Sequence, residues 1–149
     1  MKIICHRGNT KGPRPDKENT PEVIDYCISE GYDVEIDLWY TDDKLYLGHD
    51  YGQYLIDWKF LEERKDHLWV HAKNFEALAI LNGYYLNHFW HETDYYTLTS
   101  KGFIWTYPVS IQGIEIPTTH QQIILDFHQD VDFEYYRNKK VAGVCVDHV

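Results

Sequence analysis

The sequence predicts an α/β fold, a (β/α) barrel of TIM type that is reduced or incomplete, with several helices shortened to loops. Three observations lead there. Short apolar runs with strand character alternate with short helical stretches, the pattern of a mainly parallel sheet. Several of those runs end in polar residues, and in a parallel barrel the C-terminal strand ends meet on one face. Finally, the chain has 149 residues, whereas a full barrel of this type takes about 250. Residues 1–149 are therefore expected to form a single domain whose connections are cut short.

Lys2 to Cys5 reads as the first strand, followed by a polar loop from Asn9 to Asn19. Thr20 is a good N-cap, Pro21 suits the first helical position and Glu22 favours the positive helix end. Val23, Ile24, Cys27 and Ile28 continue at helical spacing until Gly31. Asp33 to Tyr40 alternates, with Val34, Ile36 and Leu38 on one face and Glu35, Asp37 and Trp39 on the other. A turn at Asp42-Asp43 leads into Lys44 to Leu47 and then Gly48-His49-Asp50. Trp58 to Lys65 is predicted helical, Leu68 to Lys73 a core strand, and Phe75 to Asn82 a helix. His88 to Glu92 and Phe103 to Thr106 read as strands, with a further short one over Gly113 to Ile116. Phe133 to Asn138 is helical in pattern, and Ala142 to Val146 is a strand ending at Asp147.

Composition narrows the function classes. Fourteen basic residues against twenty-four acidic ones give a formal net charge of −10. That balance disfavours nucleic acid as a partner, because clustered Lys and Arg supply such affinity. Yet Lys2, Arg7, Lys11, Arg14 and Lys17 precede almost every acid, so the N-terminal loop is locally basic and suits a small anion. Cys5, Cys27 and Cys145 show no CxxC spacing, which points to reduced thiols and a cytoplasmic protein. No apolar run approaches the roughly 20 residues of a membrane span. Nothing in the sequence indicates an oligomeric state.

The polar strand ends carry the chemistry. Glu35 and Asp37 are two apart on one strand, so both carboxylates leave on the same side, and His71 and Lys73 repeat the arrangement. Burying such groups without partners costs several kcal/mol each. A divalent cation would satisfy them; so would a salt-bridge network with Arg7 and Lys73.

His6-Arg7-Gly8, Glu18-Asn19-Thr20, Glu35-Ile36-Asp37 and His49-Asp50 occur in the order seen in glycerophosphodiester phosphodiesterases, which the first third of the chain resembles. The likeness continues more weakly through His71-Ala72-Lys73 and the closing Gly143-Val144-Cys145-Val146-Asp147. It implies a phosphoric diester hydrolase in which Glu35 and Asp37 bind a divalent metal, usually Ca or Mg. His6 and His49 would be the acid/base pair, Arg7 and Lys73 would hold the phosphate, and Glu18 would lie near the site. The expected partner is a small phosphodiester, by default a glycerophosphodiester.

The chain also departs from the family. Its third acidic metal ligand is replaced here by His71, whose imidazole nitrogen suits Mn or Zn better than Mg or Ca. His91, at the end of a predicted strand, is a second candidate, as a ligand or a substrate contact. The segment from Tyr51 to Asp57 is brief where relatives carry inserts, and Trp39, Tyr51 and Trp105 are candidates for a stacking wall. The alternative function is a degenerate barrel that binds a phosphorylated ligand without turnover.

Overall fold

Strand β1 (Lys2–His6) lies near the middle of the sheet, between β2 (Asp33–Thr41) and β12 (Gly143–Val146), and is parallel to both. The computed structural model describes residues 1–107, 110–111, 114–115 and 117–149. Outward from β2 come β5 (Leu68–Ala72) and β6 (Asn87–Phe89); outward from β12 come β11 (Gln122–Asp126) and β8 (Ile104–Thr106). All these pairings are parallel. Antiparallel strands complete the ten-stranded mixed sheet: β3 (Lys44–Leu47) on β2, β4 (Tyr54–Ile56) on β3, and β7 (Tyr96–Leu98) on β8.

The expected (β/α) barrel is therefore not formed. The sheet is open, and the reason lies at one strand. Ile104, Trp105 and Thr106 pair with β11 on one edge and with β7 on the other, so the hydrogen-bonding edge that closure onto β6 would need is already taken. Isolated hydrogen bonds span the gap instead: the Ser100 backbone N–H donates to the His88 carbonyl at 2.8 Å, and the Thr97 side chain donates through Oγ1 to the Trp90 carbonyl at 2.8 Å. The helices are also few. Only α1 (Pro21–Ser29), α2 (Trp58–Arg64), α3 (Phe75–Leu81) and α4 (Phe133–Lys139) are seen among the described residues.

Local chemistry explains the elements the sequence announced. Thr20 caps α1 by accepting from the Val23 N–H, while Asp57, Asn74 and Asp132 cap the other three helices in the same way. Asp42 and Asp43 both have positive φ, the geometry of a tight hairpin turn between β2 and β3. Strands β4, β7 and β11 carry no expectation from the sequence. Of the strand expected over Gly113 to Ile116, β10 (Ile114–Glu115) pairs with β9 (Ser110–Ile111) as a short hairpin; Gly113 and Ile116 lie outside the described residues.

The sheet separates two apolar layers. Cys5, Val34, Ile36, Leu38 and Val70 pack with Ile24, Cys27, Leu61, Ala77 and Leu81 of the helices. On the opposite, inward face Ile4, Trp69, Phe89, Trp105, Ile123, Leu125 and Cys145 form a second layer. The inward residues nearest the C-terminal strand ends are the polar ones, and this apolar floor supports them. No helix among the described residues is long and apolar enough to cross a membrane.

Candidate active site

Register places the polar groups side by side. His6 pairs with Glu35 across β1 and β2, and Asp37 pairs with His71 across β2 and β5, so all four side chains leave the same face of adjacent parallel strands. His6, Glu35 and His71 border a cleft of about 440 Å³, with the fully buried Asp37 beneath it. His6, Arg7, Glu35, His49, His71 and Lys73 line its polar side. Trp90, His91, Trp105, Tyr107 and Phe127 line much of the rest.

Glu35 and Asp37 are 2% and 0% exposed, which makes their partners decisive. His71 Nδ1 lies 3.1 Å from Asp37 Oδ1 and 3.7 Å from Glu35 Oε1. Its other nitrogen, Nε2, faces the His91 carbonyl at 2.8 Å. A carbonyl only accepts, so Nε2 carries a proton; without a cation in place a protonated ring turns Nδ1–H toward Asp37, and with one in place a neutral ring would offer its Nδ1 lone pair there instead. Asp37 Oδ1 is buried and makes no hydrogen bond among the described residues. Glu35, Asp37 and His71 thus each offer a donor atom, and the three atoms lie within 4.8 Å of one another. A buried oxygen held only by the ion-pair contacts of His71 and Lys73, beside an imidazole nitrogen and a second carboxylate, fits a cation between them; two oxygens and one nitrogen suit a borderline ion better than Ca or Mg.

The two carboxylates are pushed apart electrostatically. Burial, with the neighbouring charge of Asp37, raises Glu35 above the ordinary carboxylate range despite His6, His71 and Arg7. Burial would raise Asp37 too, but the adjacent His71, Lys73 and Arg7 outweigh it and hold the group well below that range. Lys73 Nζ is 3.5 Å from Asp37 Oδ1, and Arg7 Nε is 3.3 Å from Asp37 Oδ2.

His6 is held from behind. Its Nδ1 lies 2.9 Å from Asp147 Oδ1, which also accepts from Asn9 Nδ2 at 2.8 Å. Burial pushes Asp147 up, but its hydrogen bond to His6 and the contacts of Asn9 and Arg7 bring it below its ordinary value. The ionised carboxylate accepts a hydrogen bond from Nδ1–H, leaving Nε2 of His6 as the basic atom, 4.0 Å from Glu35 Oε2. Phe127 stacks on the ring at 4.5 Å between centroids and fixes its plane.

The other expected residues fall as follows. His49 lines the cleft and is half-buried, with Nδ1 2.7 Å from Asp50; its loop is tied by Trp39 Nε1 donating to the Gly48 carbonyl. Glu18 does not line the cleft: it is buried behind it, accepting from Arg7 Nη1 at 3.2 Å and Asn9 Nδ2 at 2.8 Å. His91 lines the cleft with Nδ1 buried and unpartnered, and burial lowers its pKa. Of the aromatic wall expected from Trp39, Tyr51 and Trp105, only Trp105 is present, joined by Trp90, Tyr107 and Phe127.

Sequence reasoning missed the support residues. Asn19, with positive φ and no exposed surface, accepts from the Asp37 N–H and donates to Asp37 Oδ2, both at 2.9 Å. Arg7 also has positive φ, and its backbone N–H donates to the Glu35 carbonyl and to Glu35 Oε2. Two non-glycine residues in that region beside one carboxylate pair mark a site where the surroundings impose the backbone. Asp147 had a visible signal, an acid at the end of a core strand like Asp37, but no partner to interpret it by.

No protein-family model matches the chain, and neither a curated protein nor a solved structure matches it.

Proposed function

We propose that this protein is a metal-dependent phosphodiesterase that hydrolyses a small phosphodiester, with a glycerophosphodiester as the default substrate. The reading is carried by the convergence on one cleft of His6, Arg7, Glu35, His49, His71 and Lys73, a set dispersed along the chain. Glu35, Asp37 and His71 would hold the ion, Mn or Zn in preference to the Mg or Ca that the resemblance to glycerophosphodiester phosphodiesterases suggests. A divalent ion there would supply positive charge against the anionic diester.

The chain's own groups do the rest. Arg7 and Lys73 sit at the rim of the acid pair, and their charge draws the phosphate oxygens toward the cleft floor. His6 presents Nε2 to the cleft with its other nitrogen fixed by Asp147, so it accepts the proton of the attacking oxygen, whether of water or of a substrate hydroxyl. His49, on the loop after β3, donates a proton to the departing alcohol. Trp90, Tyr107 and Phe127 exclude water from the far side. Three free, buried cysteines support a cytoplasmic setting.

Hydrolysis of bis(p-nitrophenyl) phosphate with a panel of Mg, Ca, Mn and Zn tests the assignment. Wild type should turn over with Mn or Zn, and His6→Ala and Glu35→Ala should not. Activity surviving both substitutions sinks the assignment, as does failure of every ion to bind wild type.

A further inference from the structure

The loop between β1 and α1 builds a second cavity, of about 340 Å³, on the flank of the cleft. Lys11, Arg14 and Lys17 line it together with Thr10, Tyr26 and the exposed Glu22. Their state of pairing is what distinguishes them. The chain has ten more acids than bases, and its other arginines are used: Arg7 pairs with Glu18 and Asp37, Arg64 with Asp25 and Glu63, Arg137 with Glu134. Arg14 alone among the arginines has no carboxylate partner among the described residues, and neither Lys11 nor Lys17 has one. Three cations without a carboxylate partner among the described residues, lining one cavity with a single exposed acid, Glu22, form a local positive potential.

The loop that presents them is tied down rather than free. Arg14 N–H donates to Asn9 Oδ1 at 3.2 Å, Gly12 N–H to the Asp147 carbonyl at 2.8 Å, and the Lys17 and Glu18 N–H groups to the Arg14 carbonyl. Gly8 is pressed so close to α1 that a Cβ there would meet Val23 Cγ2 at 2.4 Å. An anchored loop loses little conformational freedom when a ligand binds.

We infer that this cavity is a binding site for a phosphate-class oxyanion, separate from the cleft, in which Arg14 supplies a planar fork and Lys11 and Lys17 flank it as point charges. Tyr26 and Thr10 add hydroxyl donors. Guanidinium and ammonium groups match the several acceptor oxygens and double charge of a phosphate monoester better than a singly charged carboxylate. The source is free inorganic phosphate or a phosphate carried by a larger substrate; the chemistry is shared.

Inorganic phosphate titrated into metal-free protein, followed by backbone amide NMR, tests the site without any turnover, so it can fail while the diesterase reading stands, and the reverse. The expected result is saturable shifts at Thr10, Lys11, Lys17 and Tyr26 that tighten as salt falls, since the screening length grows from about 8 Å at 0.15 M to about 30 Å at 0.01 M. Affinity should fall about tenfold or more in the Lys11→Gln/Arg14→Gln/Lys17→Gln variant, fall less in Arg14→Lys, and persist in Glu35→Gln. A second arm compares kcat/KM for bis(p-nitrophenyl) phosphate with that for a diester bearing an additional terminal phosphate. A loss in the triple variant confined to the latter assigns the site to substrate; equal kinetics with lost phosphate binding assigns it to the free ion. Shifts centred on Arg7 and Lys73 instead, or a triple variant that is folded by its spectrum and binds phosphate within twofold of wild type, would overturn the inference.

Discussion

Replacing Asn19 by alanine should cost the protein much of its stability, because one side chain holds both the backbone and the carboxylate of Asp37. Two hydrogen bonds of 2.9 Å are lost in a fully buried setting, one of them to a charged acceptor. Leaving the Asp37 N–H unpaired costs about 1–3 kcal/mol, and losing a donor to a buried carboxylate about 1.5–3 kcal/mol. Alanine at the positive φ of residue 19 adds roughly 1 kcal/mol, since asparagine tolerates that region and alanine does not. Together these come to roughly 3.5–7 kcal/mol, a large share of the ~5–15 kcal/mol typical of a domain. Urea unfolding followed by tryptophan fluorescence reads it directly, and Thr20→Ala, which removes only a helix cap worth ~1 kcal/mol, gives the local comparison. A loss for Asn19→Ala no larger than that for Thr20→Ala, at unchanged m-value, would refute the clamp.

Opposite signs are expected from the two acids in chelator-treated protein. Glu35 is raised, so its ionisation costs stability as pH climbs above the unfolded carboxylate value near 4.3, and Glu35→Gln should raise the urea midpoint at neutral pH. Asp37 is depressed, so its contribution is present above an unfolded value near 3.9 and disappears as pH falls through the lower folded value; Asp37→Asn should lower the midpoint at neutral pH. Midpoints that move the same way in both variants contradict the assigned polarity. Mn or Zn at one hundred times its dissociation constant should stabilise wild type by about 2.7 kcal/mol in calorimetry and leave His71→Ala unmoved, with Ca weaker; equal stabilisation of both proteins rules out His71 as a donor. Asp147→Asn should lower kcat by about a hundredfold or more while KM changes little, because His6 loses the partner that fixes its tautomer; unaltered turnover removes Asp147 from the mechanism.

What was legible in the sequence was local or periodic. Thr20-Pro21 announced α1 because capping needs only neighbours, and Glu35, Asp37, His71 and Lys73 announced one face because alternation along a strand is a two-residue rule. Closure was not legible. Whether β8 offers its outer edge to β6 or to β7 depends on three-residue strands, Asn87–Phe89 and Tyr96–Leu98, too short to show a period. The clamp of Asn19 on Asp37 and the pairing of His6 with Asp147 were equally hidden, since each joins residues that meet only after the sheet has assembled.

That last pairing has a kinetic side. His6 and Asp147 are 141 positions apart, and the strands that carry them are neighbours in the middle of the sheet. Bringing such distant segments together is entropically slow, so β12 is expected to dock late in folding, after the local β2–β3 hairpin and α1 have formed. Until it does, His6 has no orienting carboxylate and the loop from Asn9 to Glu18 lacks its anchor. If the proposed activity holds, the onset of turnover during refolding would then report the insertion of a single strand, a clock built into the chain's own topology.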